Sequence, residues 1–199
     1  MSQEKSPEHL SPTAIGLAAG LVTLLAVGVV VVSLVLGSAD DPAAGPPTTT
    51  SSTTTPPSRT GPVALVGVDA PAARSAACTQ LLSALPNELP DSEDTLRRLP
   101  IADPAPPAAL AWGTDRGDPV VLRCGLRRPA ELTPTSALRE VSKVEWLVVE
   151  GSGSSTWYVV DRGVYLALTM PAGTGTGPLQ DVSAAVARVL PARPVATSG

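Results

Sequence analysis

Phenylalanine is absent from the 199 residues, and aromatic side chains make up only 3% of them. Any core must therefore be aliphatic, with Trp112, Trp146, Trp157, Tyr158 and Tyr165 as its only large rings. Histidine occurs once, as His9. Its absence from the later part of the chain excludes Ser-His-Asp and Cys-His nucleophiles and the usual histidine zinc sites there. No G-x-S-x-G, no Walker loop and no strand-following G-x-G-x-x-G is present, so the common hydrolase and nucleotide signatures are missing too. An excess of positive charge is also lacking: 14 basic residues face 18 acidic ones, for a formal net charge of −4. Nucleic acid is thus not an expected partner, because phosphate neutralisation needs a basic surface. Lysine is nearly absent, as Lys5 and Lys143 alone. Ser-Lys chemistry would have to pair Lys143 with its neighbour Ser142, and adjacent residues rarely converge on one substrate.

What is present divides the chain by composition. Residues 1–13 are polar, and residues 14–36 carry no charge over 23 positions, roughly 35 Å as a helix and enough to cross a hydrocarbon core. The expectation is a single transmembrane helix or signal anchor behind a short cytoplasmic tail. Lys5 precedes the apolar run, whereas Asp40 and Asp41 come after it and no basic residue appears before Arg59. That places the N-terminus in the cytoplasm and the residues beyond the apolar run outside. Cleavage near Ala39, at Gly37-Ser38-Ala39, is the competing reading and would release the chain as a secreted protein. Residues 37–62, with eight consecutive hydroxyl residues from Thr48 to Thr55 between proline pairs, read as a disordered Pro/Ser/Thr-rich stalk. Such composition also suits O-glycosylation.

Residues 63–195 mix apolar and charged side chains as a folded extracytoplasmic domain does. Val63 to Val68 reads as a short β-run ended by Asp69, which is placed to cap a helix reaching Leu85. Cys78, Leu81, Leu82 and Leu85 share one face of that helix. Residues 86–107 read as an irregular, proline-punctuated loop. Ala108–Trp112 and Pro119–Cys124 form a hairpin; Val144–Glu150, Trp157–Val160 and Val164–Met170 are further strands, and Pro178–Leu190 is a last helix. The fold class is α+β, an antiparallel sheet with helices packed on one face, preceded by the transmembrane helix and the linker.

Cys78 and Cys124 are the only cysteines, so one intramolecular pairing exists, and an oxidising compartment would permit it. A structural disulfide is favoured over a redox pair, since redox cysteines usually lie two residues apart. Arg123, Arg127 and Arg128 cluster around Cys124 and are candidate ligands for a carboxylate or phosphate. Trp157, Tyr158 and Tyr165 are candidate surface aromatics for a carbohydrate or peptide platform, although aromatics in strands more often belong to the core. Asp115 or Asp118 with Glu145 or Glu150 would be the carboxylate pair of a glycan hydrolase; separate surface solvation is the simpler account. Arg116-Gly117-Asp118 is read as a turn.

Trp112-Gly113, the run Val121-Leu-Arg-Cys-Gly125 through Arg128-Pro129, Leu138, Val144-Glu-Trp146 and Val159-Val-Asp-Arg162 together resemble a family of actinobacterial exported or membrane-anchored proteins. Those proteins carry a conserved domain of unknown function, and the resemblance spans approximately residues 63–192. It implies an actinobacterial envelope protein with a cysteine pair, and brings no reaction, ligand or catalytic residue with it.

The resulting expectation is a membrane-tethered domain that binds an envelope protein or a cell-wall component and is more a binder than an enzyme, with no cofactor and no metal. The alternatives are an envelope glycan hydrolase or transferase using carboxylates, and a sensor of a small anionic ligand.

Overall fold

Alternation along one strand sets out the plan of the domain. In Val120–Leu126, Val120, Leu122 and Cys124 are buried on one side, Val121 is buried on the other, and Arg123 is half-buried beside it. A strand covered on both faces belongs in the middle of a sheet. A computed structural model, which describes residues 58–196, puts it there. The expected transmembrane segment 14–36 and the stalk up to residue 57 lie outside the described residues. Among the described residues no helix is long and apolar enough to cross a membrane.

Helix α1 (Ala76–Ala84) is followed by β1 (Glu88–Asp91), β2 (Asp94–Leu99), β3 (Ala109–Gly113), β4 (Val120–Leu126), β5 (Leu138–Val141), β6 (Val144–Gly151), β7 (Ser154–Val159), β8 (Tyr165–Pro171) and α2 (Gly177–Val189). The eight strands form one antiparallel sheet in the order β1-β2-β3-β4-β8-β7-β6-β5. It consists of two four-stranded meanders joined where β4 pairs with β8. The sheet curls, and α2 touches strands at both of its ends, β1 on one side and β5 and β6 on the other.

Both helices lie on the same face. Cys78, Leu81 and Leu85 of the first helical segment and Leu179, Val182 and Val186 of α2 enter one core with Leu89, Trp112, Leu122, Trp146, Leu166 and Leu168 from the sheet. Trp112 and Trp146 are fully buried, and each indole N–H is satisfied at 3.0 Å, by the Pro86 carbonyl and the Ser183 hydroxyl respectively. The opposite face carries two smaller apolar groups, Val63, Ala111 and Val121, and Leu132, Leu147 and Val160. The fold class is thus α+β with the helices on one side of an antiparallel sheet.

Several local expectations need correction. Val63–Val68 is not a strand: Val63 alone pairs, in parallel with Ile101, and Val66 and Val68 are exposed. The helix starts at Ala76, and its cap is Ser75, whose hydroxyl accepts the Cys78 N–H at 3.3 Å, not Asp69. The stretch expected as an irregular loop contains the β1–β2 hairpin, with Pro90 tolerated because β1 is an edge strand. Strand β5 was hidden by its two charged central residues, Arg139 and Glu140. Its turn to β6 uses Ser142 and Lys143 at φ 50° and 62°, a left-handed pair usually advertised by Asn or Gly.

Candidate functional site

The pieces that carried the family resemblance are explained first by the scaffold. In Leu122-Arg-Cys-Gly125, Leu122 enters the core and Cys124 forms a disulfide with Cys78, with Cα atoms 5.7 Å apart. Gly125 sits at φ 83°, at an irregularity in the β4–β8 register. A Cβ there would lie 2.2 Å from the Ala73 nitrogen, and the Gly125 carbonyl accepts the Ala72 N–H at 3.0 Å. The turn before α1 can therefore lie against β4 only over a glycine.

Asp161 and Arg162, at the β7–β8 turn, are 6% and 5% exposed and form a buried ion pair. Arg162 also donates to the Lys143 carbonyl in the β5–β6 turn, and the Asp161 carbonyl accepts the Arg193 N–H at 2.8 Å. One charged pair thus fastens two hairpin turns and the C-terminal segment. Asp161 Oδ1 and Arg162 Nε find no partner among the described residues, so the pair depends strongly on its mutual contact.

The three candidate arginines have separate surroundings. Arg127 is exposed and ion-paired with Asp69, which raises its pKa through the hydrogen bond and the charge. Arg128 donates to the Leu132 carbonyl and, at 3.2 Å, to that of Ala196. Arg123 projects from the outer face between Ala109 and Ala167 on the neighbouring strands; burial lowers its pKa, and its buried Nη1 has no acceptor among the described residues.

The candidate aromatics divide between the two faces. Trp157 packs on the helical core, edge-on to Trp146 at 6.4 Å, with its N–H on Ser155 Oγ at 3.0 Å. Tyr158 and Tyr165 are half-buried on the outer face around Leu132, Leu147 and Val160. Burial, and secondly the charge of Glu131, raise the pKa of Tyr158.

Two hollows meet at the β3–β4 turn. On β2, Asp94 and Leu96 line one, and Thr95, Arg97 and Leu99 line the other, as the two-residue period of a strand dictates. The first, of about 260 Å³, gathers Asp91, Asp94 and Asp118 with Arg116. Neither Glu145 nor Glu150 lines it, so Asp118 does not share this hollow with either of its sequence-expected partners. Asp91 Oδ1 already accepts the Gly175 N–H at 2.5 Å. Among the described residues no three His, Cys, Asp or Glu side chains are grouped to hold a metal ion.

The second hollow, of about 560 Å³, is walled by Arg59, Gly61, Thr95, Arg97, Leu99, Gly113, Thr114 and Asp115. It gathers two guanidinium groups, the Thr95 hydroxyl and the Asp115 carboxylate, whereas Thr114 Oγ1 is engaged by Arg116, donating to its carbonyl at 3.0 Å and accepting its N–H at 3.2 Å. Arg97 is exposed and loosely paired with Glu88 at 3.6 Å. Arg59 is held by its backbone N–H on the Asp115 carbonyl at 2.5 Å and by Nη2 on the Gly117 carbonyl. Its Nη1 is buried and has no acceptor among the described residues. Gly113 makes room for it: a Cβ there would lie 3.0 Å from Leu99 Cδ1 and 3.4 Å from that nitrogen. Charge-assisted donation to a carboxylate or phosphate oxygen is what these guanidinium groups can do.

Sequence reasoning missed these residues. Arg59 stands in stalk-like composition, and Arg97 stands in a stretch read as loop. The one available signal was the alternation of Thr95, Arg97 and Leu99 against Asp94, Leu96 and Arg98. The model of a family described as "Protein of unknown function (DUF3515)" matches residues 21–195. No curated protein and no solved structure matches the chain.

Proposed function

Since the chain belongs to the DUF3515 family of proteins of unknown function, we propose a role from its own geometry: a tethered extracytoplasmic domain that binds an envelope component through an anionic group. The observation that carries this is the Arg59–Arg97 hollow, with the Thr95 hydroxyl and a buried guanidinium nitrogen that lacks an acceptor among the described residues. A hydrogen bond to a charged group contributes about 1.5–3 kcal/mol, and binding costs several kcal/mol of lost freedom. Two such arginines therefore suit weak, reversible capture of one oxyanion within a larger partner. The apolar run 14–36 supports attachment to the membrane, and the disulfide supports an oxidising compartment. The partner is a protein or wall polymer of the envelope that presents a carboxylate or phosphate.

The test places a photocrosslinker at Gly61, which lines the hollow and where a Cβ would meet nothing within 4 Å, in the full-length chain in intact cells. Recovery of one specific protein or polymer, reduced at least about tenfold by Arg97→Ala, is expected, since ten-fold corresponds to about 1.4 kcal/mol. Crosslinking that yields no specific product, or one indifferent to Arg59 and Arg97, would refute the proposal.

A further inference from the structure

The wall of the hollow that carries Arg59 is not part of the sheet. Residues 58–62 lie across the β3–β4 turn as a strap, with Ser58 bridging to Arg116 and its hydroxyl 3.4 Å from the Asp115 carbonyl. The strap's next fixed point is Val63, whose N–H reaches the Pro100 carbonyl at 2.8 Å and whose carbonyl accepts the Ala102 N–H at 2.9 Å. Between them, Thr60, Gly61 and Pro62 are exposed, and a Cβ at Gly61 would meet nothing within 4 Å. Among the described residues the strap is thus hinged at Val63 and latched through Ser58 and Arg59, onto exposed turn residues.

The opposite wall, Arg97 on β2, is fixed in the sheet. Closing the strap brings the Arg59 guanidinium to a hollow that also holds Arg97, itself paired with Glu88 at 3.6 Å, and the Asp115 carboxylate, so that the carboxylates already offset the two cations. Closure still leaves Arg59 Nη1 buried without an acceptor among the described residues. An oxyanion beside Arg97 offsets that cost, because a turn of the Arg59 guanidinium from its place against Gly113 toward the hollow gives Nη1 the acceptor it lacks. Resting on the binding role proposed above, we propose that an oxyanion held between Arg59 and Arg97 latches residues 58–61 onto the β3–β4 turn, so that ligand occupancy and docking of the segment leading into the domain are one equilibrium. The ligand class is a carboxylate or a phosphate ester, and the open strap, lacking Arg59, binds it far more weakly. At a ligand concentration of ten times Kd the closed-to-open ratio then rises about elevenfold.

The experiment uses the full chain in detergent micelles at constant ionic strength. Calorimetry measures binding of inorganic phosphate and, separately, of an N-acetylated dipeptide with a free carboxylate. Hydrogen exchange follows the Arg59 amide, which is bonded to Asp115. With the tighter-binding probe at ten times its Kd, exchange at Arg59 is expected to slow about tenfold, while amides of β6 and β7 stay unchanged. Arg97→Ala is expected to abolish both binding and slowing, and without ligand to leave exchange at Arg59 unchanged, because among the described residues Arg97 makes no contact that holds the strap. A probe that binds in an Arg97-dependent way without slowing Arg59 exchange would overturn the latch and leave the binding role standing. Absence of binding by both probes would overturn both. Preference between the probes separates a phosphate source from a carboxylate one.

Discussion

Replacing Asp161 by asparagine keeps the side chain's shape and removes its charge, leaving Arg162 a cation that is 5% exposed. Arg162 would keep its bonds to the Asp161 and Lys143 carbonyls, the former at 3.1 Å, but its Nε has no partner among the described residues to offset the loss. Removing one partner of a buried pair costs about 3–5 kcal/mol. The retained carbonyl bonds and the asparagine oxygen place Asp161→Asn near the lower end, about 3 kcal/mol. For a domain of this size that corresponds to a fall in Tm of about 10 °C, out of a total stability of about 5–15 kcal/mol. The assay is urea unfolding with the disulfide intact, followed by fluorescence of the buried Trp112 and Trp146. The companion variant Asp161→Leu/Arg162→Met removes both charges and is expected to be more stable than Asp161→Asn, even with the Lys143 carbonyl left short of a donor. A cost below about 1 kcal/mol for Asp161→Asn, or a double variant no better than the sum of its singles, would refute the account.

Serine at Cys78 or Cys124 opens a crosslink between residues 46 apart in sequence, worth about 4 kcal/mol on the chain-entropy account; non-reducing unfolding should show the loss, and reductant should reproduce it in the wild type. Gly125→Ala forces a Cβ to 2.2 Å from the backbone of Ala73 at a positive φ, so a cost above about 4 kcal/mol or a failure to accumulate folded protein is expected by circular dichroism. Arg98→Ala removes two 3.0 Å bonds to the carbonyls of Leu85 and Pro86 and a stack over Trp112 at 5.3 Å; about 2 kcal/mol should be lost and only partly restored by lysine, which cannot fork or stack as arginine does. The phenol of Tyr158 should ionise above its ordinary value in an ultraviolet titration of Tyr165→Phe, and Glu131→Gln should lower the midpoint without normalising it, because burial is the larger cause. The raised folded-state pKa means that the associated stability holds below the unfolded value near pH 10 and is lost as pH rises through the folded one.

The elements legible in the sequence were those whose periodicity survives on one buried face. Leu179, Val182 and Val186 announced α2, and Val164, Leu166 and Leu168 announced the inner face of the last strand. Less was legible where local chemistry disagreed with the fold. Strand β1 contains Pro90, β5 is half charged, and the Ser142-Lys143 turn lacks glycine or asparagine, so each is imposed by its neighbours in the sheet and not by its own residues. Val63–Val68 shows the converse: its composition favours a strand, but apart from the single bridge at Val63 it finds no strand partner in the described domain.

The candidate site was less legible than the fold, for a reason that bears on the family. The pieces carrying the resemblance are accounted for by construction: Cys124 by the crosslink, Gly125 by close approach of backbone, Asp161 and Arg162 by fastening two turns to the C-terminal segment, and Gly113 by the space it leaves beside Arg59. Arg59, Thr95, Arg97 and Thr114 belong to none of those pieces, yet the register of β2 and β3 and the strap before Val63 bring them to one hollow. A substitution at the exposed Arg97 or Thr95 disturbs no buried contact, whereas one at Gly125 or Asp161 disturbs many, and of the resemblance-carrying pieces Gly113 couples to the hollow through its space for Arg59. The ligand binding proposed for Arg59 and Arg97 is therefore tested by substitutions that leave the scaffold intact, whereas substitutions in the scaffold pieces test only how the domain is built.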